Sequence, residues 1–107
     1  MMNDIQKEKA RFILMHYGAE NQRRMLIEEC AELIQAINKY ERAIHDKSNR
    51  DAVVEARHNV ISEIADVLIM IEQVSILLTD DDEIFIEKMI TYKLNRQLNR
   101  IKKENEL

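Results

Sequence analysis

The chain has no proline and a single glycine among its 107 residues. Tight turns draw heavily on those two residue types, so little material is left for a turn-rich β fold. One cysteine, Cys30, excludes an internal disulfide and fits a reducing compartment. No apolar run is long enough to span a membrane, and the start, MMNDIQKEKARFILMHYG, lacks one long enough for the core of a signal peptide. A positive balance of charge is missing too. The formal net charge of −4 speaks against general nucleic-acid binding, which calls for a basic surface. These absences lead to the expectation of a soluble, cytoplasmic protein with neither membrane nor nucleic acid as partner.

What is present favours helix: Glu, Lys, Leu, Ile and Ala are abundant. The length predicts one domain over residues 1–107 with one modest core. Periodicity and breakers predict four helices, at about 4–17, 20–44, 52–78 and 83–104. Gly18 ends the first. The second carries Leu26, Cys30, Leu33, Ile37 and Ile44 along one stripe, with Cys30 read as core. The polar run from His45 to Asp51 is the clearest turn, and Thr79-Asp80-Asp81-Asp82 supplies a cap and dipole-compatible acids for the fourth helix. The expected fold is all-α and four-helix-bundle-like.

The third helix is apolar over most of its circumference, with Ile61, Ile64, Val67, Leu68, Ile69, Ile71 and Ile76. A helix of that kind has to be covered nearly all round. The simplest cover is a second copy of the chain, in a homodimer burying the face with Ile61, Ile69 and Ile76. The alternative is that helices one and four wrap it within a monomer.

Carboxylates interrupt these apolar faces. At ~100° per residue, Glu29 lies within about 40° of Leu33 and about 20° of Tyr40, inside or at the edge of the stripe. Glu32 borders the stripe, and Glu28 points farther out. On the third helix Glu63 shares a face with Val67, Met70 and Val74, and Asp66 sits beside it three residues on. In an antiparallel hairpin, residues equidistant from the turn lie at one height, because both helices rise ~1.5 Å per residue. The midpoint of Glu29 and Asp66 falls between Lys47 and Ser48, and so does that of Glu32 and Glu63. Four carboxylates therefore meet at one level, where desolvation and mutual repulsion oppose full ionisation. They can protonate, pair with Lys or Arg, or bind a cation, and an all-oxygen set suits Mg²⁺ or Mn²⁺. A solvated, inert helix face is the plain alternative. A di-iron bundle, by contrast, needs two inward Glu-x-x-His pairs, and only Glu55 and His58 have that spacing.

The last helix carries Lys93, Arg96, Arg100 and Lys103 at steps of three and four, hence along one face. Such cations suit phosphate oxygens, or simply a helix C-terminus. Tyr17, Tyr40 and Tyr92 offer rings for a base to stack on, or for packing. Gln22, one heptad before Glu29, can read a base edge or cap a polar pocket.

Taken together, EECAEL (Glu28–Leu33), SEIADVL (Ser62–Leu68) and the basic YKLNRQLNRI (Tyr92–Ile101) resemble the MazG-like branch of the all-α nucleoside triphosphate pyrophosphatase superfamily. Its pattern is E-E-x-x-E followed by E-x-x-D on the next long helix, and the resemblance runs from about Gln22 to Arg100. The 30 residues between Glu32 and Glu63 are a longer spacing than the family's commoner ones. The resemblance implies Mg²⁺-dependent hydrolysis of a nucleotide to a monophosphate and pyrophosphate, in a homodimer or a dimer of dimers. It implies Glu29, Glu32, Glu63 and Asp66 as metal ligands, Glu28 as an acid that either supports those ligands from behind or orients water, and Lys93 and Arg96 on phosphate oxygens. Two other activities fit the same resemblance: a nucleotide- or protein-binding regulatory module without turnover, and an enzyme acting on phosphoribosyl-ATP.

Overall fold

The computed structural model describes residues 2–47 and 49–106. They form four helices, α1 (Asp4–Tyr17), α2 (Ala19–His45), α3 (Arg50–Ile76) and α4 (Asp80–Glu106), with no strand among the described residues. The all-α expectation holds.

Caps explain the bounds. α1 starts where expected: the Asn3 side chain accepts from the Gln6 N–H at 2.8 Å, and the Gln6 side chain accepts from the Asn3 N–H at 2.9 Å. Gly18, at φ 90°, ends α1 and begins α2 in one residue, a left-handed backbone that glycine adopts without strain. α3 begins two residues before its predicted start, because Asn49 caps it by accepting from the Ala52 N–H at 3.1 Å. Arg50 and Asp51, read as turn, are its first residues, and it closes at Ile76, two residues early. α4 begins three residues early. Thr79 and Asp82 bond each other's backbone N–H at 3.1 and 3.0 Å, which draws Asp80 to Asp82 into the first turn, where negative charge opposes the helix dipole.

The chain divides into two units, Met1–Leu77 and Leu78–Leu107. In the first, α2 packs chiefly on α3, and α1 rests on both through buried Ala10 and Leu14. The side chains of α2 turned to this seam are Gln22, Leu26, Glu29, Leu33, Ala36, Tyr40 and Ala43, alternately four and three residues apart, all buried or half-buried. Their counterparts on α3 are Val53, Ala56, Val60, Glu63, Val67, Met70 and Val74. That is the heptad spacing of a coiled-coil seam. The inward face of α2 is thus rotated from the expected stripe. Ile37 and Ile44 are 44 % and 43 % exposed, and the smaller Ala36 and Ala43 take the inner positions, where short side chains allow a close approach.

One contact marks the register of this hairpin. Gln22 Nε2 donates to Gln73 Oε1, and the two residues are equidistant from a centre between positions 47 and 48. The ends of the helices, His45 and Arg50, flank the same centre. Ser48, on one side of the expected turn centre, lies outside the described residues.

Ile61, 51 % exposed, and also Ile64 and Ile71 leave part of α3 open, so α1 and α2 do not cover it all round. The second unit is essentially α4, which has no buried residue; Ile90, Leu94, Leu98 and Ile101 are exposed along it. No helix among the described residues is long and apolar enough to cross a membrane.

Candidate metal centre

Seam geometry puts acids where a coiled coil would carry leucine. Glu29 and Glu63 occupy heptad positions on facing helices and are half-buried there. Glu32, one turn along α2, is solvent-exposed, yet its carboxylate reaches back toward both. Glu29, Glu32 and Glu63 each place one carboxylate oxygen within 4.8 Å of the others. Asp66 is half-buried at the height of Glu29 and acts on Glu29 and Glu63 through its charge, but it is not in that tight set. Glu28 is exposed on the outer side, as the wheel predicts. The cluster therefore has a dry floor, Glu29 and Glu63, and a wet rim, Glu32.

The floor is electrostatically uncomfortable. Glu29 Oε2 and Glu63 Oε2 are buried without a hydrogen-bond partner. Burial, and after it the negative charges of Glu32 and Asp66, hold both carboxyls above the ordinary value of 4.5. Buried acceptors left without a donor are uncommon, and each calls for a proton or a cation. Two unpartnered oxygens beside a third, reachable from water, fit a hard divalent ion that keeps part of its water shell. Among carboxylate, imidazole and thiolate donors, the described residues gather no other such group of three or more.

On α4, Tyr92, Asn95, Arg96, Asn99, Arg100 and Lys103 line one open groove. The Arg96 guanidinium lies over the Tyr92 ring at 5.9 Å, which supports its orientation. Lys93 stands about 60° around the helix from Arg96 and outside that groove. Asn95 and Asn99 were missed in the sequence, although their four-residue spacing beside Arg96 and Arg100 was the available signal.

Gln22 was expected as a reader of a base edge. It is 5 % exposed and its amide is engaged by Gln73, itself 1 % exposed and the most deeply buried large side chain described. Gln73 was also missed. Gln73 and Gln22 are equidistant from the turn centre, as the paired acids are.

These features define a class: all-α proteins that gather carboxylates across an antiparallel helical hairpin. The profile of the MazG nucleotide pyrophosphohydrolase domain matches residues 18–103, and the chain belongs to that family. It thus carries a pyrophosphohydrolase domain of MazG type, from a family that generally depends on divalent metal. No curated protein and no solved structure gives a significant match. The match takes in all four acids, the basic segment of α4 and both glutamines. The long spacing between Glu32 and Glu63 is nearly all helix, Leu33–His45 on one arm and Arg50–Ser62 on the other.

Proposed function

We propose that the protein is a metal-dependent nucleotide pyrophosphohydrolase that cleaves a nucleoside or deoxynucleoside triphosphate to its monophosphate and pyrophosphate. One observation carries this: in a chain of this family, Glu29 and Glu63 leave buried oxygens unpartnered beside the reachable carboxylate of Glu32. Glu29, Glu32, Glu63 and Asp66 are the ligands proposed for Mg²⁺, with Mn²⁺ as a substitute. When bound, the ion supplies Lewis-acid polarisation of the phosphate and a more acidic water.

The remaining work falls to the chain. Glu28, exposed on the outer side, is the acid proposed to orient water and accept its proton as the oxygen attacks phosphorus. A phosphoanhydride P–O bond breaks as the new one forms, and its electron pair leaves on the departing phosphate oxygen. Lys93 and Arg96 are proposed for the phosphate oxygens, on the chemistry of cationic donors. A base-reading role for Gln22 requires its pair with Gln73 to open.

The wider frame is one domain over residues 1–107, cytoplasmic, without nucleic acid or membrane as partner, and a homodimer or dimer of dimers. The open faces of α3 and α4 support the oligomer, since exposed isoleucine and leucine stripes on a small domain gain by being covered. Sedimentation at micromolar concentration that finds only monomer overturns it.

The central test is pyrophosphate release across ribo- and deoxyribonucleotides with Mg²⁺ or Mn²⁺, with Glu32→Gln and Asp66→Asn alongside. Turnover by the parent and its loss in both variants is expected. No turnover of any nucleotide, or variants equal to the parent, overturns the proposal; thermal stabilisation by nucleotide without product would instead identify a binding module.

A further inference from the structure

Gln22, in the α2 seam, and Gln73, which flanks seam residue Val74 on α3, form a second polar layer between the helices: Gln22 lies seven residues before Glu29, and Gln73 seven after Asp66. At ~1.5 Å per residue this is about 10 Å along the hairpin, on the side away from the turn. An apolar pair there would bury more favourably, because desolvating two amides offsets much of the hydrogen bond they gain. Buried polar pairs in heptad seams specify alignment instead. A slip of one turn separates the amides and leaves each buried and unpaired, whereas leucines tolerate it.

The position makes that specification useful. At one end of the hairpin the chain itself joins the helices, through Asp46–Asn49. At the other no covalent link holds them. Between the two ends sits the carboxylate level, where Glu29 and Glu63 each bury an oxygen with no partner and negative charges face one another. Without a cation the charges at that level push the arms apart, and on the side away from the turn only packing, including that of α1, and the Gln22–Gln73 bond oppose the push.

We propose that the Gln22–Gln73 hydrogen bond is a positioning clasp that holds α2 and α3 in the register and separation at which Glu29, Glu32, Glu63 and Asp66 converge on one cation. It rests on the reading of those acids as a single cation site. While paired, neither glutamine touches the ion or the nucleotide; both act through the acids they align.

The test is the pair Gln22→Leu with Gln73→Leu, which keeps the seam filled and removes the bond. Spin labels at exposed positions 24 and 71, on facing arms and again equidistant from the turn centre, report the separation at the open end. They are placed by Arg24→Cys and Ile71→Cys in a Cys30→Ser background, and labelled chains are diluted with unlabelled protein. In metal-free protein the parent is expected to give one narrow distance distribution and the leucine pair a broadened one. Mn²⁺ affinity, read from the free-ion electron-spin signal, falls about tenfold, as when a residue supporting metal ligands is lost. Should the leucine pair fail to fold by circular dichroism, Gln22→Met with Gln73→Met, closer in shape to glutamine, carries the same expectation. Equal widths beside intact Mn²⁺ binding overturn the clasp alone. A parent that binds no Mn²⁺ overturns the cation site, and with it the purpose of the clasp.

Discussion

At Gln22 and Gln73 helices α2 and α3 bury two neutral amides that bond to each other; toward the turn, at Glu29 seven residues along α2 and Glu63 ten residues back along α3, they hold two half-buried carboxyl groups that each keep a buried oxygen without a partner. Both layers set polar side chains where the same two helices meet, Gln22 level with Gln73 and Glu29 level with Asp66, with Glu63 three residues nearer the turn. The first is complete within the chain. The second leaves Glu29 Oε2 and Glu63 Oε2 without a hydrogen-bond partner. Burial of polarity is common to both, so burial does not mark the functional layer; the missing partner does.

The sharpest way to break this contrast is to remove one acid. Glu63→Gln or Glu32→Gln is expected to lower kcat for pyrophosphate release by at least about 100-fold, the scale for losing one element of transition-state charge stabilisation. A steady-state assay at saturating metal checks it, and a loss below tenfold would show the acid layer to be ordinary surface charge. Metal itself is the next largest effect. At a concentration of about 100 times its Kd, Mg²⁺ should stabilise the fold by about 2.7 kcal/mol, a gain absent in Glu29→Gln. Thermal unfolding with and without EDTA reads both. Metal-free Glu29→Gln should be at least as stable as the metal-free parent, because a repelling buried carboxylate has become an amide.

The amide layer should behave in the opposite way. Gln73→Ala leaves the Gln22 amide buried and unpaired, at a cost of about 1–3 kcal/mol by urea denaturation, whether or not metal is present. The smallest effect is in pH. Carboxyls raised in the folded state bind protons more readily there than in the unfolded chain. Metal-free stability is therefore greatest on the acid side and declines as pH climbs from the ordinary value of 4.5 through the raised range of Glu29 and Glu63. Melting temperatures in EDTA should fall with pH in the parent and fall less in Glu29→Gln. A flat parent profile, or equal slopes, removes the electrostatic half of the contrast.

Much of this was legible in the sequence, for identifiable reasons. The four helices follow from periodicity and from breakers that act locally. The meeting of Glu29, Glu32 and Glu63 follows from counting, because rise per residue is the same on both arms; Asp66, expected with them, stays outside the tight set. Harder to see was which way α2 turns. Ile37 and Ile44 look like core by hydropathy, but packing distance favoured Ala36 and Ala43. Thr79 and Asn49 are visible cap residues, yet their acid neighbours and Arg50 read as loop until the cap bonds place them inside helices. The Gln22–Gln73 pair escaped because an isolated glutamine carries no motif, although the same counting rule would have found it. That Glu32 stays exposed while its carboxylate joins buried partners depends on side-chain reach, which no periodicity encodes.

The equal arms of the hairpin, Leu33–His45 and Arg50–Ser62, constrain how such a chain can change length. One residue inserted in a single arm turns every acid beyond it by ~100° and shifts it ~1.5 Å, so the halves of the cluster no longer face each other. Insertions matched on both arms, in steps of about seven, move the turn outward and leave the chemistry where it was. The wide interval between EECAEL and EIAD is then a handle of adjustable length. Among relatives, the number of residues separating the two acid motifs should vary in even-handed increments, with losses on one arm mirrored on the other.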